Sequence, residues 1–391
     1  MIARIVFPII LMIVTADLFV DLHYLHRIHR RQWLKRLFWW LPAVVILAFT
    51  AYMATLDGFA PQSNAVLNIY LFLLGAVVIP KFVFAVCSVI GWFVRRLVHG
   101  KRNYGHWVGL GFVFILWYVL IYGSTVGIRK INVRYVDFSS PDLPAQFEGY
   151  RIVQFSDAHV GTYGISRQDI LADAMQRINS LKADAIVFTG DLQNMQPSEL
   201  YPNMLLLSQL RAPDGVFSVL GNHDYAIYID ADEKTKAANF QEMVDLQRHL
   251  GWTLLRNDHR VIRRGADSIV IAGMENYGLS QRSPRYGNVK TTLQGVNDSS
   301  FVVMLQHDPT AWRSQILPKS KAQLTLSGHT HAMQFALFGW SPAAWVYQEW
   351  GGMFQQDGRA IQVSTGLGGF VPFRFGVPGE IVVVTLHRKS K

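Results

Sequence analysis

Hydrophobic and polar residues follow two different patterns along this 391-residue chain. The first third holds four long apolar stretches, roughly residues 5–20, 38–56, 66–94 and 106–127. A membrane-crossing helix needs about 20 mainly apolar residues, which the second and fourth stretches supply outright. The third is longer and is interrupted by Pro80–Lys81, which predicts a kink or a tilt. The first is short and ends in Asp17 and Asp21, so it is the least secure. Buried core helices are the soluble alternative, but short basic connections between long apolar runs favour spans. Six of the eleven tryptophans (Trp33, Trp39, Trp40, Trp92, Trp107 and Trp117) lie here, five of them near span ends, where interfacial anchors belong.

Beyond a segment carrying Pro141 and Pro144 the pattern changes to short β-like runs and helical stretches. Runs at 151–156, 185–189, 215–220, 268–272, 301–306, 323–326, 361–364 and 381–386 predict strands, with a helix at 167–181 between the first two. Many of these runs stop at polar motifs, as in α/β folds that build their sites at strand ends. The division predicted is a transmembrane region over 1–130, a linker over 131–147 and a catalytic domain over 148–391.

Charge sharpens this division. The whole chain has a net charge of +10, and only 16% of its residues are charged, too few for an ordinary soluble protein. Residues 1–135 hold 14 Lys and Arg against three acids, whereas the remainder holds 23 basic and 24 acidic residues. The positive excess therefore belongs to the apolar third, and the nucleic-acid partner that a basic pI suggests is not expected. The single cysteine, Cys87, excludes an intramolecular disulfide and any multi-cysteine metal site.

The same charges orient the spans. Arg27, Arg30, Arg31, Lys35 and Arg36 lie between the first two stretches, and Arg95, Arg96, Lys101 and Arg102 between the last two. The connection between the second and third has no basic residue. The positive-inside rule puts the two basic loops in the cytoplasm and both termini outside, although Arg129, Lys130 and Arg134 oppose it. A cleaved signal peptide at 1–20 is the rival reading, but it would export the five-base loop.

Five strand-end motifs carry the chemistry: Asp157-Ala-His159, Gly190-Asp191, Gly221-Asn222-His223-Asp224, Gln306-His307-Asp308 and Gly328-His329-Thr330-His331. Together they offer carboxylates, imidazoles and an amide oxygen, a donor set for ions such as Mn, Fe, Zn or Mg, without thiolate. In an extended D-x-H or H-x-H the outer residues share a face and can converge on one ion. Each motif alone has an ordinary structural explanation, such as a turn or a hydrogen-bonded histidine. Five in order, each directly after a β-like run, make chance a poor one.

This set closely resembles the calcineurin-like metallophosphoesterase superfamily, over about residues 146–387. The resemblance implies a four-layer α/β/β/α sandwich, here preceded by about four transmembrane helices, and a centre of two divalent metal ions. Asp157, His159, Asp191 and His331 would hold one ion; the shared Asp191, Asn222, His307 and His329 would hold the other. His223 would face the scissile phosphate and protonate the leaving oxygen, with Asp224 orienting it. The implied reaction is hydrolysis of a phosphate ester or pyrophosphate by a hydroxide bridging the ions. The tail, Gly366-Leu-Gly-Gly369, Pro372-Phe-Arg374 and Pro378-Gly-Glu380, is similar to a membrane-anchored or exported bacterial branch, whose double Pro before the Glu is Pro378-Gly379 here.

Arg374 has two readings, a contact to substrate phosphate or an exposed structural arginine. The segment 335–354, with Phe335, Phe338, Trp340, Trp345, Tyr347, Trp350 and Phe354, also has two. It is either a loop packed on its own domain or a hydrophobic lip, with Trp340 and Trp345 meeting a lipid substrate or the bilayer. The expected protein is integral to a bacterial inner (cytoplasmic) membrane, with its catalytic domain outside, acting on a phosphorylated lipid or envelope intermediate; the family includes hydrolases of UDP-diacylglucosamine. A nucleotide or nucleic-acid phosphodiesterase and a non-catalytic scaffold are the alternatives.

Overall fold

The computed structural model describes residues 2–25, 33–56, 61, 63–164, 167–281 and 283–389. The chain divides into two compact units, Met1–Ser124 with Tyr228–Asp230, and Thr125–Ile227 with Ala231–Lys391.

The first unit is helical. Among the described residues four helices, covering Val6–Leu25, Trp33–Thr55, Asn64–Leu97 and Gly105–Arg129, are long and apolar enough to cross a membrane. Helix α1 (Ile2–Val20) continues into a wide π-type turn, Asp21–Leu25. Its two acids, which made this stretch the least secure in sequence, are buried and paired. Lys81 Nζ donates to Asp17 at 2.6 Å, while Arg36 holds Asp21 through Nε and Nη2, both at 2.6 Å. Of the basic residues read as the first cytoplasmic loop, Lys35 and Arg36 lie inside α2 (Trp33–Thr55). Arg27, Arg30 and Arg31 fall outside the described residues, as does most of the base-free connection before α3 (Asn64–Leu73).

The expected break at Pro80 takes a specific form. Helix α3 passes through a π-type turn, Leu74–Val78, into α4 (Ile79–Leu97) without leaving the helical path. Proline has no N–H for the carbonyl four residues back, and that carbonyl, Ala76 O, accepts from Trp117 Nε1 at 2.8 Å. Trp117 belongs to α5 (Gly105–Thr125), so an indole repairs the gap that Pro80 leaves. The same two helices touch through glycine: a Cβ on Gly91 would lie 2.5 Å from the Cα of Gly105.

The second unit carries two six-stranded sheets. One has the order β1 (Ile131–Ser140), β12 (Gly379–Arg388), β2 (Tyr150–Phe155), β3 (Ala185–Phe188), β4 (Val216–Ser218), β5 (Thr253–Leu254). The other runs β10 (Gly352–Gln356), β11 (Arg359–Val363), β9 (Leu324–Ser327), β8 (Phe301–Leu305), β7 (Asp267–Gly273), β6 (Asp258–Arg264). Alternate residues of each strand enter different cores, because side chains alternate across a strand. Ile152, Val187 and Val382 meet Ile271, Val303 and Leu326 between the sheets. Val153, Ile186 and Phe188 face the other way, onto Ile170, Leu171 and Ala174 of helix α6 (Gln168–Ser180). Val270, Val302 and Ile361 pack on Trp312 and Ile316 behind the second sheet. This is the four-layer α/β/β/α sandwich that the sequence led us to expect.

Within the stretch read as a linker, Ile131–Ser140 form a strand of the first sheet. Strand β1 pairs in parallel with β12 along its whole length, from Ile131 opposite Gly379 to Ser140 opposite Arg388. As an edge strand with one exposed face it has weak alternation, and its partner is remote in sequence.

Candidate metal centre

The motifs sit where the strands of the two sheets end. Asp157 and His159 follow β2, Asp191 follows β3, and Asn222 and His223 follow β4; His307 follows β8, and His329 and His331 follow β9. Asp157, His159, Asp191, His329 and His331 all have φ between 44° and 76°. Left-handed backbone is uncommon for residues with a Cβ and costs about 1–3 kcal/mol each where the surroundings enforce it. Here each turn folds its side chain back towards a common point. The turns also pack backbone on carboxylate: a Cβ on Gly221 would lie 2.1 Å from Asp191 Oδ1.

Two groups of donors result. Asp157, His159, Asp191 and His331 form one, and Asp191, His307 and His329 the other, with the ligand atoms of each group within 4.8 Å of one another. Asn222 Oδ1 joins the second, 3.1 Å from His307 Nε2. The hydrogen bonds on the far side of the rings set the tautomers. His159 Nδ1 faces Gln193 O at 3.1 Å and His307 Nδ1 faces Thr189 O at 2.8 Å. A carbonyl only accepts, so both Nδ1 atoms carry hydrogen and both Nε2 lone pairs point inward. His329 is reversed: Nε2 lies near Tyr347 OH (3.2 Å) and Asp308 Oδ2 (3.5 Å), leaving Nδ1 for the site.

The residues present fit a pair of cations. Inward lone pairs meet other acceptors: His159 Nε2 is 3.3 Å from His331 Nε2, and His307 Nε2 is 3.1 Å from Asp191 Oδ2. Such contacts need positive charge between them. The protein without metal supplies it partly by protons. Burial opposes a charge on His307, but the Asp191 carboxylate overrides this and pulls its pKa up to about 10. Burial also works against an ionised Asp191, yet His307 and the neighbouring imidazoles hold it well below the usual carboxylate range. Burial, with Asp191 as a like-charged neighbour, raises Asp157 to about 7 even though His307 opposes the rise. Buried carboxylates crowded by imidazoles are a cation site by composition.

Comparison with known proteins agrees. The family model "Calcineurin-like phosphoesterase" matches residues 150–333, and "Probable Calcineurin-like phosphoesterase, transmembrane domain" matches 3–128. The uncharacterized metallophosphoesterase YkuE of Bacillus subtilis is 35% identical over 62% of this chain and 81% of its own length. This chain is a calcineurin-like metallophosphoesterase. A transmembrane protein with metallophosphoesterase domain from Danio rerio is 28% identical, covering 68% of this chain and 60% of that protein. The UDP-2,3-diacylglucosamine pyrophosphatase LpxG of Chlamydia trachomatis is 27% identical, covering 65% and 88%. The chain is thus a membrane metallophosphoesterase, a metal-dependent hydrolase whose Asp and His clusters can bind a dinuclear centre.

Two expected roles in this metallophosphoesterase, those of Asp224 and Arg374, look different in three dimensions. Asp224 does not orient His223; its carboxylate accepts from the backbone N–H groups of Asp191, Leu192, Gln193 and Gly221. The partner of His223 Nδ1 is Asn194 O, at 2.6 Å. Arg374 neither reaches out to a phosphate nor lies exposed. It is buried and donates to the carbonyls of Gly368, Val377, Pro378, Thr365 and Gly366. Trp340 and Trp345 pack edge to face, with ring centroids 4.8 Å apart, and both are exposed. The aromatic side chains that do touch the centre are Tyr347, at His329, and Phe370, 5.2 Å from His223 between ring centroids. Asp308 was legible inside its motif; Phe370 and Asn194 O carried no sequence signal.

Proposed function

We propose that this metallophosphoesterase hydrolyses a phosphate ester or pyrophosphate bond in a membrane-borne lipid or envelope intermediate. The observation that carries the reading is one buried donor set, shared through Asp191, on a chain with four apolar helices long enough to span a bilayer. The likeness to a UDP-2,3-diacylglucosamine pyrophosphatase supports a lipid-linked substrate. A catalytic portion with 23 basic and 24 acidic residues offers no electrostatic attraction to nucleic acid.

In this reading Asp157, His159, Asp191 and His331 hold one ion, and Asp191, Asn222, His307 and His329 the second. Divalent ions bound there supply Lewis-acid neutralisation of the phosphoryl oxygens and a more acidic water. The protein does the rest by position. Asp224 ties the loops after β3 and β4 together through the N–H groups flanking Asp191, which fixes the shared carboxylate. His223 packs edge-on against His159, with ring centroids 4.8 Å apart, and its Nδ1–H is engaged by Asn194 O. Its Nε2 is therefore the ring atom left for the leaving oxygen, and it carries the transferable proton in the imidazolium form. Burial lowers the His223 pKa, although Asp191 opposes the shift, so the ring gives up a proton readily.

Two variants separate these roles. His223→Ala retains both metals and loses about 10²–10⁴-fold in kcat, whereas Asp191→Ala loses metal as well, read by elemental analysis of purified protein. An Asp191→Ala enzyme with full metal content and activity sinks the assignment. A panel of lipid phosphates, lipid pyrophosphates and nucleotides with the metal-loaded enzyme tests the substrate class; turnover confined to nucleotides overturns the lipid reading.

We also propose that α1 is retained, that residues from Ile131 onward form the hydrolase domain, and that this domain lies outside the cytoplasm of a bacterial inner membrane. Arg95 and Arg96 in the last turn of α4, with Lys101 and Arg102 after it, support a cytoplasmic α4–α5 connection. A C-terminal alkaline phosphatase fusion should be active and a fluorescent protein fusion dark; the opposite pattern reverses the topology.

A further inference from the structure

The segment between His331 and Glu349 combines three properties that rarely coincide. It carries no charged residue or histidine from Ala332 to Gln348. Its base is firmly built. Gln334 Nε2 donates to Val371 O and Phe373 O, Ser341 Oγ donates to Ala332 O at 2.6 Å, and the Phe335 and Phe375 rings stack 5.7 Å apart. Its tip is apolar and in water: Phe338 is 99% exposed and Trp345 79%, with Leu337, Trp340 and Val346 exposed beside them.

The tip itself is strained. Leu337 and Trp340 exchange backbone hydrogen bonds at 2.9 and 3.0 Å, closing a two-residue turn. Its central residues, Phe338 and Gly339, have φ of 52° and 79°. Turns with two left-handed centres favour Asn, Asp or Gly at the first. A phenylalanine there strains the backbone and leaves an aromatic ring hydrated, and neither effect stabilises the fold. Because the base is rigid, the exposure is a presented surface rather than a loose loop. The segment also returns to the centre, where Tyr347 OH lies 3.2 Å from His329 Nε2.

We propose that residues 337–346 form an interfacial membrane-insertion loop that seats the metal centre at a lipid surface. The occupant is the headgroup–acyl boundary of a bilayer, for three reasons. An uncharged aromatic tip with paired tryptophans matches that boundary better than a protein interface, whose rim is polar. The chain carries its own membrane spans, so a lipid surface is present at high effective concentration. The strain at Phe338 puts a large apolar side chain at the outermost point, as a wedge into lipid requires. The proposal rests on the membrane attachment and not on the identity of the substrate.

The test uses the full chain with Cys87→Ala, reconstituted singly in nanodiscs of phosphatidylethanolamine and phosphatidylglycerol. A spin label is placed on Val346→Cys, on Phe338→Cys, and on Asp298→Cys as an exposed, charged control. Collision with oxygen and with an aqueous nickel chelate is then measured for each. Labels at 346 and 338 should favour oxygen and the label at 298 nickel. Adding Phe338→Asn should return the 346 label towards water, with about tenfold weaker insertion for the loss of one buried aromatic ring. Nickel access at 346 and 338 equal to that at 298 overturns the proposal. Protection from both reagents also overturns it, because it assigns the loop to a protein contact.

Phe338→Asn should melt at the same temperature in detergent or higher, since Asn suits the turn. A clear fall would assign the ring to the fold and overturn the proposal. Hydrolysis of bis(p-nitrophenyl) phosphate by the same preparations reports separately on the enzyme reading. If the wild-type enzyme lacks it, that reading fails while the depth measurement still decides the loop.

Discussion

Arg374 shows how far a residue's role depends on what it faces. In sequence it sits near glycines and prolines in the tail and resembles a phosphate contact. In the fold its guanidinium collects five backbone carbonyls, including those of Gly366 and Gly368, next to the turn that holds Asp157. Burial brings its pKa down to about 10, despite the nearby Tyr163 and Asp157, and it remains a cation at neutral pH. Arg374→Met should therefore lower stability by about 3–5 kcal/mol in chemical denaturation, whereas a phosphate contact would chiefly raise KM. The metal-ligand candidates were legible because each follows a β run directly. Asp224 was not, because its four N–H partners come from loops that only folding brings together. At the surface, His387 is raised by its hydrogen bond to Glu148, and Glu148 is lowered by the Arg388 N–H and by His387. The histidine's contribution is full below its unfolded pKa and lost as pH rises through the raised folded one. The carboxylate's contribution is lost as pH falls through its lowered value. The protection of the Arg388 amide, corrected for intrinsic base-catalysed exchange, should consequently fall on the alkaline side, and His387→Gln should flatten that fall.

At the scale of elements, the membrane helices are specified by polar exceptions to an apolar rule. Asp17 and Lys81 sit on α1 and α4, and Asp21, in the π-type turn that continues α1, pairs with Arg36 on α2, so two ion pairs tie α1 and its turn to both neighbours. Removing one partner of a buried pair leaves an uncompensated charge and costs about 3–5 kcal/mol. Lys81→Ala should reduce the folded fraction in detergent and in cells, and Asp17→Asn with Lys81→Met should recover much of it, measured by thermal unfolding. If both are equally unstable, the pair is not what holds α1. Hydropathy found these helices readily because long apolar runs are unambiguous. It could not reveal that Trp117 serves the carbonyl released by Pro80, since the two residues lie on different helices. Strand β1 was hidden for a related reason: its pairing with β12 is a fact of topology that local alternation does not encode.

The net charge of the whole molecule describes neither half. The excess lies in the membrane portion, while the hydrolase is nearly neutral, so the basic pI is a property of the membrane portion alone. Strand order joins the two ends of the hydrolase portion more firmly than charge does. Strand β12 lies between β1 and β2, in parallel register with the first and antiparallel with the second. Deleting residues 379–391 should therefore remove the whole hydrolase fold, detected as rapid proteolysis downstream of α5. The same arrangement sets a schedule for biosynthesis. Strand β1 emerges immediately after the last membrane helix, but its neighbour in the sheet is made last, tens of seconds later at about 5–20 residues per second. Until then both edges of β1 and one edge of β2 are open, although every strand of the second sheet has already been made. The nascent hydrolase must be kept from pairing its edges with other chains throughout that interval. Closure of the first sheet accordingly waits for β12, and factors that guard exposed strands should be limiting for the yield of the hydrolase fold.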